Sequence, residues 1–271
     1  MIKEITIGQY FPGKSFLHKL DARTKLILVL AVLIFIFLCR NFYSLALITV
    51  FSVVCVAVSR IPLRSMLKGF RVLFVIILLT SLLQIFYNNE GDALFEWKKI
   101  HITTGGVYTA IFICVRIICL IFVSSLLTYT TSPTLLTDGL ERLLKPLKVF
   151  HIESHTLAMM MTIALRFIPT LIEEVDHIMS AQKARGADLE TGGLLKRAKA
   201  MVPILVPLFV NSFRRAYDLA YAMECRCYRG GAGRTRMRVM KLAVRDYIAF
   251  VICAALLAGI ILLNIFFEAV I

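Results

Sequence analysis

The chain has 271 residues, 59% of them hydrophobic and only 18% charged, and its mean hydropathy is +0.81. That composition excludes an ordinary soluble domain and indicates an integral membrane protein. A formal net charge of +14 raises nucleic acid as a partner, but the basic residues fall between apolar runs and not in an aromatic-interleaved patch. They read as the cytoplasmic loops of a membrane protein, with no nucleic acid implied.

Gln9 to Lys25 is a basic, turn-rich lead without the short apolar core and small-residue cleavage site of a secretory leader. Leu26 to Cys39 is wholly apolar and makes span one, with Asp21 to Lys25 near the interface and the cations snorkelling. Arg40 and Asn41 leave room only for a tight turn before span two, Phe42 to Val58. Ser59 to Arg71 carries Arg60, Arg64, Lys68 and Arg71 around Pro62 and reads as an inside loop. Span three runs from Phe70 to Tyr87. A mixed polar loop follows, with Glu90, Asp92, Glu96, Lys98 and Lys99 beside Trp97, and span four then takes Gly106 to Tyr129 around Arg116.

From Thr130 to Asp246 apolar residues recur at helical spacing among many charges. Ser132-Pro133 opens one amphipathic segment that ends at Pro146. A second places Leu157, Met161, Ala164, Ile168, Leu171, Val175 and Met179 on one face, and a third does so with Leu194, Met201, Leu205, Leu208, Ser212, Leu219 and Met223. Pro169, Pro203 and Pro207 should bend these helices. Met201 to Val210 is too short to cross a bilayer, and Arg166 and Pro169 interrupt the apolar run after Met159. Both long segments are therefore expected at or under the membrane surface. After the basic cluster Arg234, Arg236, Arg238, Lys241 and Arg245, Tyr247 to Phe267 forms span five. The expected fold is all-α, a polytopic membrane protein with about five transmembrane helices and long amphipathic cytoplasmic helices. Its regions are 1–129, 130–246 and 247–271. An inside amino terminus and five spans place every basic loop on one side.

Catalytic signatures are missing: there is no Gly-x-x-x-x-Gly-Lys phosphate loop, no HExxH and no Gly-x-Ser-x-Gly elbow. Five of the seven cysteines lie in apolar runs as small hydrophobes. Cys225 and Cys227 flank Arg226 with no partners to complete a zinc site. His151 and His155 are spaced as a ligand pair but lack a third ligand, and His177 stands apart. A mid-span arginine must face protein or water, so Arg116 is either a strut toward moving parts or a carbonyl-bonded packing residue.

What remains are two matched helix ends, Ala184-Arg185-Gly186 and Cys225-Arg226-Cys227. A basic residue in a last turn complements the helix dipole and a following glycine ends the helix. Two such ends on Pro-containing helices suggest more: a permanent charge with a planar fork of donors, flanked by small side chains, fits an acidic groove on another protein.

At these motifs the chain resembles the transmembrane T component of energy-coupling factor transporters, the family shared with the cobalt-uptake permease. Pro12-Gly13-Lys14-Ser15 with His18, Leu20 to Leu26, Thr130-Thr131-Ser132-Pro133, Arg166-Phe167-Ile168-Pro169 and Cys227 to Thr235 extend the likeness over nearly the whole chain. Ala22 stands where proline is usual, and the second arginine motif departs at both neighbours. The resemblance implies a non-catalytic scaffold in the cell membrane that takes up vitamins or other micronutrients with its partners. Those are two ATP-binding cassette ATPases, which carry ATP and Mg, and a substrate-binding membrane S component; this chain itself binds no cofactor. It implies docking of the ATPases by Ala184, Arg185, Gly186, Cys225, Arg226 and Cys227. The adaptable Met159, Met160 and Met161 face, the bends at Pro169, Pro203 and Pro207, and Arg116 are the expected coupling elements. A stand-alone permease and an intramembrane enzyme using His151, His155 and His177 are the competing readings.

Overall fold

A computed structural model describes residues 10–87, 93–97, 100–146, 154–187, 193–230 and 242–267. His151, the loop charges Glu90, Asp92, Lys98 and Lys99, and the cluster Arg234, Arg236, Arg238 and Lys241 lie outside the described residues. The helices are α1 (Ala22–Leu38), α2 (Phe42–Ser59), α3 (Leu63–Tyr87), α4 (Thr104–Thr130), α5 (Pro133–Leu144), α6 (Ser154–Ala184), α7 (Leu194–Cys225) and α8 (Val244–Phe266). Between α3 and α4, β1 (Ala93–Trp97) and β2 (Ile100–Thr103) form an antiparallel hairpin where the sequence suggests only a polar loop. The chain divides into two compact units, 8–139 with 239–271 and 140–238 with 1–7.

The first unit is a bundle whose core is set by Ile36 on α1, Ile48 on α2, Phe112 on α4 and Ile260 on α8, all fully buried. Outward positions stay apolar, as at Phe37, Val50, Val251 and Ile265. An apolar exterior around a packed core, with the backbone hydrogen-bonded inside helices, is what a hydrocarbon solvent selects. Among the described residues, α2, α4, α8 and the His155–Ala184 stretch of α6 are long and apolar enough to cross a membrane. The 17-residue α1 would reach about 25 Å. In α3 the apolar part is Phe74–Phe86, and the helix begins at Leu63, so Arg64, Lys68 and Arg71 extend a helix and do not sit in a loop.

α6 departs from the expectation of a helix unable to cross a bilayer. It is continuous through Pro169, and α7 is continuous through Pro203 and Pro207. Each proline removes one i→i−4 bond, leaving the carbonyls of Leu165, Lys199 and Pro203 without that donor, which long flanking helices tolerate. By length and composition α6 therefore qualifies as a span, although its polar half holds Glu173, Glu174, Asp176 and His177.

Helix ends in the bundle are tied reciprocally. The Asp246 carboxylate, 2% exposed, accepts from the backbone N–H of Ala243 (2.8 Å), which starts α8, and of Asp21 (2.9 Å), which starts α1. At the other end the Asn264 side chain donates to the Leu38 carbonyl (2.9 Å), and the Asn41 side chain donates to the carbonyls of Leu263 and Phe267 (3.0 and 2.7 Å). Side chains thus fill the orphan positions of both helices. Pairing start with start and end with end makes α1 and α8 parallel. α4 runs the opposite way: Lys25 Nζ near the start of α1 donates to the carbonyl of Thr130 at the end of α4 (2.8 Å).

Asp246→Asn keeps the shape but sets an amide NH₂ or a weaker acceptor against those two N–H groups. Charged hydrogen bonds contribute about 1.5–3 kcal/mol each, so the expected loss is roughly 2–3 kcal/mol. A lowered unfolding midpoint in detergent checks it, with Asp138→Asn, whose carboxylate makes neither of these caps, as control.

Candidate functional site

In the second unit α6 and α7 meet at a half-buried polar contact. Glu174 Oε1 accepts from Asn211 Nδ2 at 2.6 Å, and Glu174 Oε2 pairs with Arg215 Nη2 at 2.8 Å. Glu174 lies eleven residues before Arg185, and Arg215 lies eleven before Arg226. At 1.5 Å per residue each arginine therefore sits about 16 Å along its own helix from the contact. Arg185 and Arg226 thus stand at the C-terminal ends of two different helices that touch at Glu174.

The two ends are built alike, atom for atom in the backbone. At the first, the Gly186 N–H donates to the Lys183 carbonyl (3.0 Å) and the Ala187 N–H to the Gln182 carbonyl (3.0 Å). At the second, the Cys227 N–H donates to the Glu224 carbonyl (2.8 Å) and the Tyr228 N–H to the Met223 carbonyl (3.0 Å). This is the paired 5→2 and 6→1 ending in which the residue after the cap turns left-handed. Gly186 has φ 84° and Cys227 φ 56°, and each follows its arginine directly. The chain beyond the arginine is thereby turned away, and Arg185 and Arg226 are both exposed. Among the described residues neither guanidinium has an ion-pair partner.

Cysteine at the left-handed position carries strain that glycine does not, about 1 kcal/mol. Nothing lies within 4 Å of a Cβ placed on Gly186, so only its φ resists substitution. Gly186→Ala is expected to cost about 1 kcal/mol and Cys227→Gly to gain a similar amount. Thermal unfolding of the two variants checks the opposite signs.

Ala184, Cys225 and Cys227 are exposed around the two arginines. Met160 and Met161 are exposed on α6, with Met159 half-buried; Pro169 and Pro203 are exposed and Pro207 half-buried. Exposed Leu205, Phe209, Phe213, Tyr217 and Tyr221 extend the apolar surface along α7. Arg116 belongs to the bundle, where its Nη2 donates to the Cys39 carbonyl at the end of α1 (2.7 Å) and its guanidinium lies 4.6 Å from the Phe112 ring centroid. His155 Nδ1 lies 3.3 Å from Glu141 Oε1, and His177 is exposed. No group of three or more His, Cys, Asp or Glu able to hold a metal occurs among the described residues. Sequence reading missed the Glu174–Asn211–Arg215 contact. The signal available was a carboxylate on α6 and a basic residue on α7 at equal distances from matched arginines.

The cobalt transport protein family, CbiQ, matches residues 13–238. The energy-coupling factor transporter transmembrane protein EcfT of Clostridium kluyveri is 51% identical over 265 residues, covering 97% of this chain and 98% of that protein. The EcfT proteins of Acidaminococcus fermentans (48% identical, 94% of this chain and 95% of the relative) and Bacillus subtilis (44%, 95% and 98%) are similar along nearly their full length. Matched arginine ends on two packed helices, an apolar-surfaced bundle and this likeness place the chain in the family of transmembrane components of energy-coupling factor transporters.

Proposed function

We propose that this chain is the coupling subunit of an ATP-driven importer, holding two cytoplasmic ATPase subunits by Arg185 and Arg226 and a substrate-binding membrane subunit on the apolar surface of α6 and α7. The observation that carries the reading is the duplication of one exposed arginine end at equal distances from one helix contact. Two like sites on the ends of two helices suit two like partners. An ATPase pair that closes on ATP would draw both arms together, and the Glu174 contact is where the two movements meet. ATP and Mg belong to the ATPases; this chain contributes cationic grips and an adaptable Met-rich face. The cargo would be a vitamin or another micronutrient, chosen by the substrate-binding subunit, with the arginine ends in the cytoplasm.

Reconstituting the purified chain alone in lipid vesicles separates this from a stand-alone permease. No uptake is expected until the ATPases, the substrate-binding subunit and ATP are supplied. Gradient-driven uptake by the chain alone would favour the permease.

A further inference from the structure

Two cavities in the first unit share a wall. One, of about 690 Å³, lies between the Pro12–Ser15 turn and the end of α2. The other, of about 310 Å³, runs between α1, α2, α4 and α8, and Phe16 and Val58 line both.

The first cavity is cationic. Lys14 and Arg60 line it, and among the described residues no carboxylate does. Its other polar side chains are already committed: Ser15 Oγ lies 2.7 Å from His18 Nδ1, His18 Nε2 donates to the Phe11 carbonyl at 3.0 Å, and Ser59 Oγ donates to the Val56 carbonyl. Arg60 holds a left-handed turn, φ 56°, that ends α2 beside the cavity.

The second cavity is apolar along its length. Its few polar groups are turned inward: Ser52 Oγ donates to the Ile48 carbonyl and Thr130 Oγ1 to the Leu126 carbonyl. Lys25 Nζ has three acceptors, the carbonyls of His18 and Thr130 and the Thr131 hydroxyl. Along α1 the lining extends from Lys25 to Val32, about 10 Å at helical rise, within the ~15 Å hydrocarbon depth of one leaflet.

We propose that these adjoining cavities bind one anionic phospholipid, its phosphate between Lys14 and Arg60 and an acyl chain in the groove along α1. A soluble phosphate would use the first cavity and leave the second without an occupant; a zwitterionic lipid would not draw on two uncompensated cations. The bound lipid would tie the amino-terminal turn to the end of α2, fixing the bundle in the leaflet that meets the start of α1.

The test uses the full chain in phosphatidylcholine nanodiscs containing phosphatidylglycerol with a photoreactive group midway along one acyl chain. Adducts are expected to concentrate on groove residues such as Leu28, Val32 and Phe51. Unlabelled phosphatidylglycerol should compete, while phosphatidylcholine and inorganic phosphate should not. Lys14→Gln with Arg60→Asn, asparagine being at ease in a left-handed turn, should lower groove labelling about tenfold. The charge-preserving pair Lys14→Arg with Arg60→Lys should keep it. The proposal is overturned if adducts spread evenly over outward residues such as Val251 and Ile265. It is equally overturned if phosphatidylcholine or phosphate competes as well, or if the neutral pair labels like the wild type.

Discussion

Replacing both Arg185 and Arg226 by glutamate is expected to abolish ATP-driven uptake while the chain still inserts in the membrane. Each guanidinium is exposed at a helix end whose hydrogen bonds are made by the backbone. The substitutions therefore cost the fold little beyond a helix-dipole effect of about 0.3–1 kcal/mol. Against a partner the loss is larger. Removing one side of a buried charged contact costs about 2–5 kcal/mol, roughly 30-fold to several thousand-fold in affinity, and glutamate adds repulsion from an acidic groove. Each single variant should weaken coupling and retain one ATPase more firmly than the other. Copurified ATPase per chain, with uptake into vesicles, measures both effects; normal uptake by the double variant is the contrary result.

Glu174→Ala should have a different signature, separating docking from transmission. Both arginine ends remain, so the ATPases stay bound, but Asn211 and Arg215 lose their shared acceptor and the two arms lose their common joint. The pair is not wholly dry, the side chains being 12% and 35% exposed, so solvent screening moderates the loss to about 2 kcal/mol. The expected outcome is more ATP hydrolysed per molecule imported. Arg215→Lys should shift the same ratio in the same direction, because an ammonium keeps the charge but loses the planar fork. An unchanged ratio in both variants would remove Glu174 from the coupling path.

Much of this architecture is legible in the chain because a bilayer imposes long apolar runs. The five apolar runs read from the sequence recur as the helices α1, α2, α3, α4 and α8, of which α2, α4 and α8 are long and apolar enough to cross a membrane, and the two long amphipathic segments recur as α6 and α7. Features that depend on residues far apart in sequence were not legible. Asp246 looks like the boundary of a span until its carboxylate is seen on the Asp21 N–H, 225 residues away. Asn264 looks like a stray polar residue until it is seen closing the end of α1. Composition also misleads locally: Arg64, Lys68 and Arg71 suggest a loop, yet they lie in α3. The hairpin at Ala93–Thr103 was hidden by its charges, and the length of α6 as a candidate span by Arg166 and Pro169, which the sequence reading took to rule out a crossing. At the arginine ends, Ala184-Arg185-Gly186 announces a left-handed turn through its glycine. Cys225-Arg226-Cys227 does not, and only the backbone shows that the two are one device.

Ala181 and Ala222 each lie one turn before an arginine and are exposed. With the photoreactive residue benzoylphenylalanine at either position in the assembled transporter, irradiation should join this chain to an ATPase subunit from both sites, more strongly when ATP closes the ATPase pair. Adducts to lipid alone, or to an ATPase from only one of the two sites, would contradict the paired grip.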